Sequence, residues 1–162
     1  MKVNLEYKYK NKGDGTLIKF IEFDERFKEK VIEFWIKICV EEYEFKEWEY
    51  YIRNMDNHTY KQNGGNFWIA IEDEEVVGTI SLQNLGQGRG LLKSMYVHKE
   101  FRSKKIAYSL MNILLDFASE NKYNKIELDT YKKFETAIKF YEKMGFVRKK
   151  EVDDKYIYEK EI

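Results

Sequence analysis

A tyrosine near the end of one segment is the residue best placed to do acid chemistry. A tyrosine hydroxyl, with a pKa near ~10, can donate a proton to a leaving group. Tyr141 lies in the segment Ala137–Phe146, where Gly145 fits the left-handed residue that closes a helix and Phe146 can pack back on its last turn. Taken alone, Tyr141 would be interpreted as a core aromatic. The closure predicts that its position is fixed.

A basic turn precedes another predicted helix. Arg102, Lys104 and Lys105 lie in the turn Glu100–Lys105, directly before an apolar helical stripe. The first amides of a helix lack intrahelical partners and its dipole favours an anion, so adjacent cations there are unfavourable unless an anion is bound. A bound pyrophosphate would resolve this conflict. A merely solvated basic turn explains the stretch equally well.

The sequence lacks the motifs of several common enzyme classes, namely zinc proteases, serine hydrolases and P-loop nucleotide hydrolases. The two histidines, His58 and His98, lie in no His-Glu-x-x-His pattern, and Gly-x-Ser-x-Gly and Gly-Lys-Ser/Thr are absent. The glycine-rich run Gly86–Gly90 opens onto a strand rather than a helix, so it is interpreted as a flexible hairpin. No metal site is expected.

The pattern of apolar residues predicts the elements that must position these two stretches. The predicted strands are Thr16–Phe23, Asn66–Ile71, Glu75–Leu82, Leu91–His98, Lys125–Thr130, Phe146–Glu151 and Lys155–Ile162, and the predicted helices are Glu25–Val40, Lys46–Met55, Lys104–Lys122 and Glu135–Met144. The order β-α-α-β-β-β-α-β-α-β-β, with one parallel crossover, indicates an α/β (α+β) fold with a mixed central sheet flanked by helices.

Composition limits the compartment and the partners. The 162 residues fit one domain, 1–162, with 1–15 as an N-terminal extension. The net charge is zero, so no overall charge favours nucleic acid or an anionic membrane. The single cysteine, Cys39, excludes an internal disulfide and is interpreted as a buried small hydrophobe. No signal peptide and no bilayer-spanning segment are recognised, which predicts a cytoplasmic protein.

The two stretches together resemble the GNAT superfamily of acetyl-CoA-dependent N-acetyltransferases, over roughly Asn66–Val147. The closing motif Ala-x-x-x-Tyr-x-x-x-Gly-Phe matches Ala137–Phe146, and the resemblance implies that Tyr141 is the general acid. It also implies that the strand Leu92–Val97 binds the pantetheine arm of acetyl-CoA through its main chain. The residues that it implies for cofactor binding are Met95, Tyr96, Val97, Arg102, Ser103, Lys104, Lys105, Ile106 and Ala107.

Two positions depart from the family's pattern. Lys105 stands where the pyrophosphate signature, Arg/Gln-x-x-Gly-x-Gly/Ala, has glycine, and Phe134 replaces the usual asparagine before the last helix. If Lys105 is helical, its amide can still be donated and its ammonium can reach a phosphate. We therefore expect cofactor binding to survive. Phe134 removes one expected polar contact.

The resemblance further implies direct attack of an amine in a ternary complex, beside a strand pair that diverges. The general base is not identified: Glu41, Glu42 and Glu44 lie where relatives line the acceptor site, and each is interpreted first as a solvated helix end. The aromatic residues of this region could shape the acceptor pocket, although most of them are interpreted as core. They are Trp35, Tyr43, Phe45, Trp48, Tyr50 and Tyr51.

The expected acceptor is a primary amine of a small molecule or peptide, and dimers are common in the family, so a homodimer is open. Two rival interpretations exist. Lys105 and Phe134 also fit a non-catalytic GNAT-like module that binds a CoA ester or a protein partner. The third interpretation, a nucleic-acid-binding domain, rests only on the basic cluster Arg102–Lys105, and the zero net charge counts against it.

Overall fold

Seven strands form one continuous sheet in the computed structural model, which describes residues 17–56, 61–102 and 105–162. The proposed extension, 1–15, lies outside the described residues. The strands are β1 (Ile18–Glu22), β2 (Asn66–Glu72), β3 (Glu75–Gly86), β4 (Arg89–Val97), β5 (Lys125–Tyr131), β6 (Val147–Val152) and β7 (Lys155–Glu161). The labelled helices are α1 (Lys28–Trp35), α2 (Glu49–Arg53), α3 (Ile106–Glu120) and α4 (Glu135–Lys143). The predicted element order and the α/β class are confirmed.

The sheet has the order β1-β2-β3-β4-β5-β7-β6. Its neighbouring strands are antiparallel except β4 and β5, which are parallel and joined by α3. A parallel pair needs such a crossover, because the chain must return to the same end of the sheet before the second strand begins. The predicted crossover is therefore confirmed, and it places the N-terminus of α3 beside the C-terminal end of β4.

The helices cover the sheet in two layers, each with its own apolar core. On one face α3 buries Leu110, Met111 and Leu114 against β2 to β5. Gly78 of β3 lies under this helix: a Cβ there would come within 3.0 Å of Ile106 Cγ2, so glycine permits the close approach. The other face carries α1, with Trp35 against β2. Within the described ranges, no helix combines the length and apolar character that crossing a membrane requires.

The first helical segment differs from the prediction. Instead of one helix over Glu25–Val40, the chain forms a 3-10 turn at Glu25–Phe27, then α1, then a π-helical segment at Ile36–Glu42. The Tyr43 amide donates to the Ile38 carbonyl oxygen at 2.9 Å, which is the i→i+5 bond of a π turn. The wider turn rotates the residues that follow it, and Glu42 and Tyr43 therefore point in directions that an α-helical wheel does not give.

Candidate active site

The parallel strands β4 and β5 separate soon after they pair. The register joins Arg89 to Lys125, Gly90 to Ile126 and Leu91 to Glu127, and the pairing ends there. The rest of β4 runs on to Val97 hydrogen-bonded to β3 on its other side. Beyond Leu91, main-chain groups of β4 that point away from β3 are no longer paired with β5, and we call the space between the two separated strands the cleft. Such groups can bind an extended ligand that carries amides of its own.

A bulge interrupts β4 in the part of the strand that has separated from β5. Thr79 lies opposite Tyr96 while Ser81 lies opposite Lys93, so β4 holds an extra residue, and Ser94 takes a left-handed conformation with φ 52°. The Thr79 hydroxyl donates to the Ser94 carbonyl oxygen at 2.6 Å, and the Trp35 indole N–H donates to Thr79 Oγ1 at 3.0 Å. This buried relay connects α1 to the bulge. A bulge bends its strand and re-aims the side chains beyond it.

Tyr141 is fixed from the helix end, as the sequence predicted. The Phe146 amide donates to the Tyr141 carbonyl oxygen at 3.0 Å and the Gly145 amide to that of Glu142 at 3.0 Å, which together form a Schellman motif. Gly145 has φ 88°, in the left-handed region. The Phe146 ring packs edge-on against Tyr141, with centroids 6.0 Å apart. The predicted closure is confirmed.

The Tyr141 side chain is buried, with 7% of its surface exposed. Burial raises the pKa of its hydroxyl well above the usual value, and the nearby charges of Tyr43 and Asp129 raise it further. Tyr43 follows the π-helical segment and Asp129 belongs to β5, so the hydroxyl lies within electrostatic reach of both. The hydroxyl is therefore protonated at neutral pH and available as a donor.

The partly buried Tyr96 and the buried Cys39 form a second pair, near Tyr141. The Tyr96 hydroxyl and the Cys39 thiol are close enough for each to influence the pKa of the other. Burial raises the pKa of Cys39 to about 11 and holds that of Tyr96 well above its usual range. Cys39 is thus neutral and 2% exposed, which confirms its interpretation as a buried hydrophobe. The pair ties the middle of β4 to the π-helical segment.

The structure distributes the predicted cofactor residues over three places. Met95 and Val97 lie on the face of β4 that packs against the core under α3, whereas Tyr96 packs with the opposite core. Ile106 is buried and Ala107 half-buried, both in the first turn of α3. Arg102 is partly exposed at the end of β4. Ser103 and Lys104 lie outside the described residues.

One expectation about Lys105 is wrong. This residue is not helical: it is the N-cap of α3 with φ 59° and ψ 12°, a left-handed conformation that glycine adopts without strain. The glycine of the family's signature is explained by this geometry. In the described part of the chain, α3 has neither a side-chain N-cap hydrogen bond nor an acidic residue in its first turn. Its N-terminal amides are accordingly well suited to an anion.

The interpretation of the aromatic residues as mostly core is also wrong. Trp35 is buried, but Tyr50 and Tyr51 are about 70% exposed. The other three aromatic residues pack with Tyr131 and Phe134, which come from the second half of the chain. We call this group the aromatic cluster and define it as Tyr43, Phe45, Trp48, Tyr131 and Phe134. Phe134 thus replaces the expected polar contact with a ring 4.7 Å from that of Tyr43. Sequence reasoning missed this cluster because its members are up to 91 positions apart.

The fold and the cleft agree with the comparison to known families. The chain matches the acetyltransferase (GNAT) family over residues 25–146, which is most of its length. It belongs to this family.

Individual relatives agree with that assignment. The chain is 32% identical over 102 residues to an N-acetylaspartate synthetase of Danio rerio, covering 62% of this chain but 36% of the relative. A GNAT-family acetyltransferase from Staphylococcus aureus Mu50 has the same fold, with a TM-score of 0.80, 31% identity and coverage of 89% of this chain and 98% of that one. A PaiA N-acetyltransferase from Thermoplasma acidophilum, crystallised in complex with coenzyme A, shares the fold at a TM-score of 0.71 and 18% identity, over 90% of this chain and 99% of that one.

The buried relay can be tested through Thr79. Thr79→Val keeps the shape but leaves the Trp35 indole N–H and the Ser94 carbonyl without their hydroxyl partner. We expect the free energy of unfolding to fall by about 2 kcal/mol in denaturant titrations, and acetyl-CoA affinity to fall because the bulge loses its anchor. Ser81→Ala is the matched control, since the Ser81 hydroxyl donates to the Lys93 carbonyl outside the bulge. Equal effects of the two variants on affinity would contradict a special role for the relay.

The strain at Lys105 predicts a stabilising substitution. Lys105→Gly should raise the free energy of unfolding by about 1 kcal/mol, because glycine adopts φ 59° without a steric penalty. Lys105→Ala separates the backbone from the ammonium: it removes the charge and retains the strain. The free energies of unfolding of the wild type and both variants are compared by thermal and denaturant unfolding. A glycine variant no more stable than the alanine variant would show that the conformation carries no strain.

Proposed function

We propose that the chain transfers the acetyl group of acetyl-CoA to a primary amine of a small molecule or peptide, by direct attack in a ternary complex. The observation that carries this proposal is a buried, protonated Tyr141 hydroxyl, held by the Schellman motif beside the cleft between β4 and β5. The membership of the GNAT family supports the reaction class. Acetyl-CoA supplies the acetyl group as a thioester.

The chain offers a suitable partner for each part of acetyl-CoA. The main chain of β4 beyond Leu91 can hydrogen-bond the amides of the pantetheine arm along the cleft. The N-terminal amides of α3 and the guanidinium of Arg102 can hold the pyrophosphate. Met95, from the face under α3, can pack on the apolar part of the arm. This arrangement would leave the thioester near Tyr141.

The acceptor must lose a proton before or during attack. An amine with a pKa near ~10.4 is neutral in about one molecule per thousand at pH 7, which corresponds to ~4 kcal/mol. The carboxylates of Glu42 and Asp129 lie near Tyr43 and Tyr141, and each is ion-paired, with Arg102 and Lys155 respectively. They can attract the ammonium form to the site. A water molecule or one of these carboxylates then accepts its proton.

Tyr141 is the general acid that protonates the leaving group. As the amine nitrogen bonds to the carbonyl carbon, the C–S bond breaks and the sulfur takes the proton of the Tyr141 hydroxyl. Burial raises the pKa of the tyrosine, and it raises the proton affinity of a thiolate in the same place, so the transfer is not opposed by the environment. Because an acid must be protonated to act, activity should not be lost through Tyr141 until the pH exceeds about 10.

The names of relatives suggest one acceptor class among the amines. The Danio rerio relative is named an N-acetylaspartate synthetase, and this chain spans about a third of its length. We infer a small amino acid as a first substrate to test. Lys133 lies 4.6 Å from the ring centre of Phe45 in the aromatic cluster, and its ammonium could pair with an acceptor carboxylate.

Tyr141→Phe tests the proposal. The variant keeps the ring that packs on Phe146 and loses only the hydroxyl, so turnover measured by thiol release should fall at least tenfold while acetyl-CoA affinity in titration calorimetry changes little. Wild-type turnover should hold up to about pH 10. An unimpaired variant would reduce Tyr141 to a packing residue. Binding without turnover on any amine in a broad panel would favour a non-catalytic CoA-binding module instead.

A further inference from the structure

Arg102 is held by a carboxylate from the π-helical segment. Its Nη1 lies 2.6 Å from Glu42 Oε1, although the two residues are 60 positions apart. Its Nε donates to the Val97 carbonyl oxygen at 3.0 Å, at the end of β4. The guanidinium therefore joins the end of β4 to the last residue of the π-helical segment.

The Glu42 carboxylate thus occupies the Arg102 guanidinium, which is the group that the proposed function assigns to the pyrophosphate of the cofactor. A carboxylate and a phosphate both bind guanidinium through charge-assisted hydrogen bonds, so they compete for the same donors. The ion pair is accessible to exchange, because the side chains are 38% and 29% exposed. The bond from Nε to Val97 allows the group to keep one anchor while Nη1 changes its partner.

We propose that Glu42 is a positioning residue that couples the two substrate sites through Arg102. In the free protein Glu42 occupies the guanidinium. When the cofactor's pyrophosphate draws Arg102 away, the Glu42 carboxylate is released on the acceptor side. This inference rests on the proposed function, because it requires an anionic cofactor at the basic turn.

Release of the Glu42 carboxylate affects the acceptor side of the site because of where Glu42 lies. Glu42 directly precedes Tyr43 and raises the pKa of its partly buried hydroxyl, and Tyr43 in turn raises the pKa of the buried Tyr141. A freed carboxylate attracts an ammonium, so cofactor binding favours binding of the amine. By linkage, the amine must favour the cofactor by the same factor.

The π-helical segment explains why Glu42 rather than a neighbour fills this role. The i→i+5 bond from the Tyr43 amide to the Ile38 carbonyl ends the segment just after Glu42. Glu41 and Glu44 are exposed, as Glu42 is, but the contact with Arg102 is made by Glu42. Glu41 lies on the same segment and carries the same charge, which makes it a matched control.

The coupling is tested by titrating coenzyme A, which carries the pyrophosphate and does not react, into wild type, Glu42→Gln and Glu41→Gln. Removing the internal competitor should tighten binding by about twofold to fivefold for Glu42→Gln, and the effect should shrink at high salt. Glu41→Gln should change affinity less. A merely structural loss would weaken binding, so the sign of the change separates the two roles.

A double-mutant cycle completes the test. Arg102→Met should weaken coenzyme A binding, and in that background Glu42→Gln should have no further effect, because the shared cation is gone. Unchanged or weaker binding by Glu42→Gln, or equal tightening with and without Arg102, would overturn the coupling. Failure of the wild type to bind coenzyme A would instead contradict the proposed function. Thermal unfolding of each variant confirms that it is folded.

Discussion

The separation of β4 from β5 after Leu91 is the constraint on which the rest of the site depends. A parallel pair that stayed hydrogen-bonded would satisfy its main chain internally and leave no room between the layers. Because the pairing ends, main-chain groups of the central strand β4 can bind a ligand. The sheet nevertheless remains continuous, since β4 stays paired with β3 and β5 with β7. The cleft thus lies within the core of the fold, supported on both sides.

Two sets of hydrogen bonds maintain this arrangement. The relay from Trp35 through Thr79 to Ser94 holds the bulge of β4 from the layer of α1. The Schellman motif at Gly145 holds Tyr141 from the other side of the cleft. Left-handed residues occur at both places and again at Lys105. Ser94 and Lys105 are not glycines, so the chain accepts some conformational strain where it turns away from regular structure to build the site.

Much of this could be predicted from the sequence, because the relevant signals are local. The apolar stripe of α3 and the closure Gly145-Phe146 each lie within one element, so they gave the crossover and the position of Tyr141. The contact of Arg102 with Glu42 and the ring pair of Phe134 with Tyr43 join distant segments, and no local pattern encodes them. The π-helical segment and the conformation of Lys105 depend on tertiary packing, which overrides the helical pattern of their own residues.

Hydrogen–deuterium exchange with and without acetyl-CoA tests the central claim most directly, because it reports on the main chain of β4 itself. Amides of Leu92–Val97 that point away from β3 should exchange readily in the free protein and become protected when acetyl-CoA is bound, together with the first turn of α3. Peptides from β1 should change little. Bound acetyl-CoA that left β4 unprotected would contradict the account, since the cofactor would then lie outside the cleft.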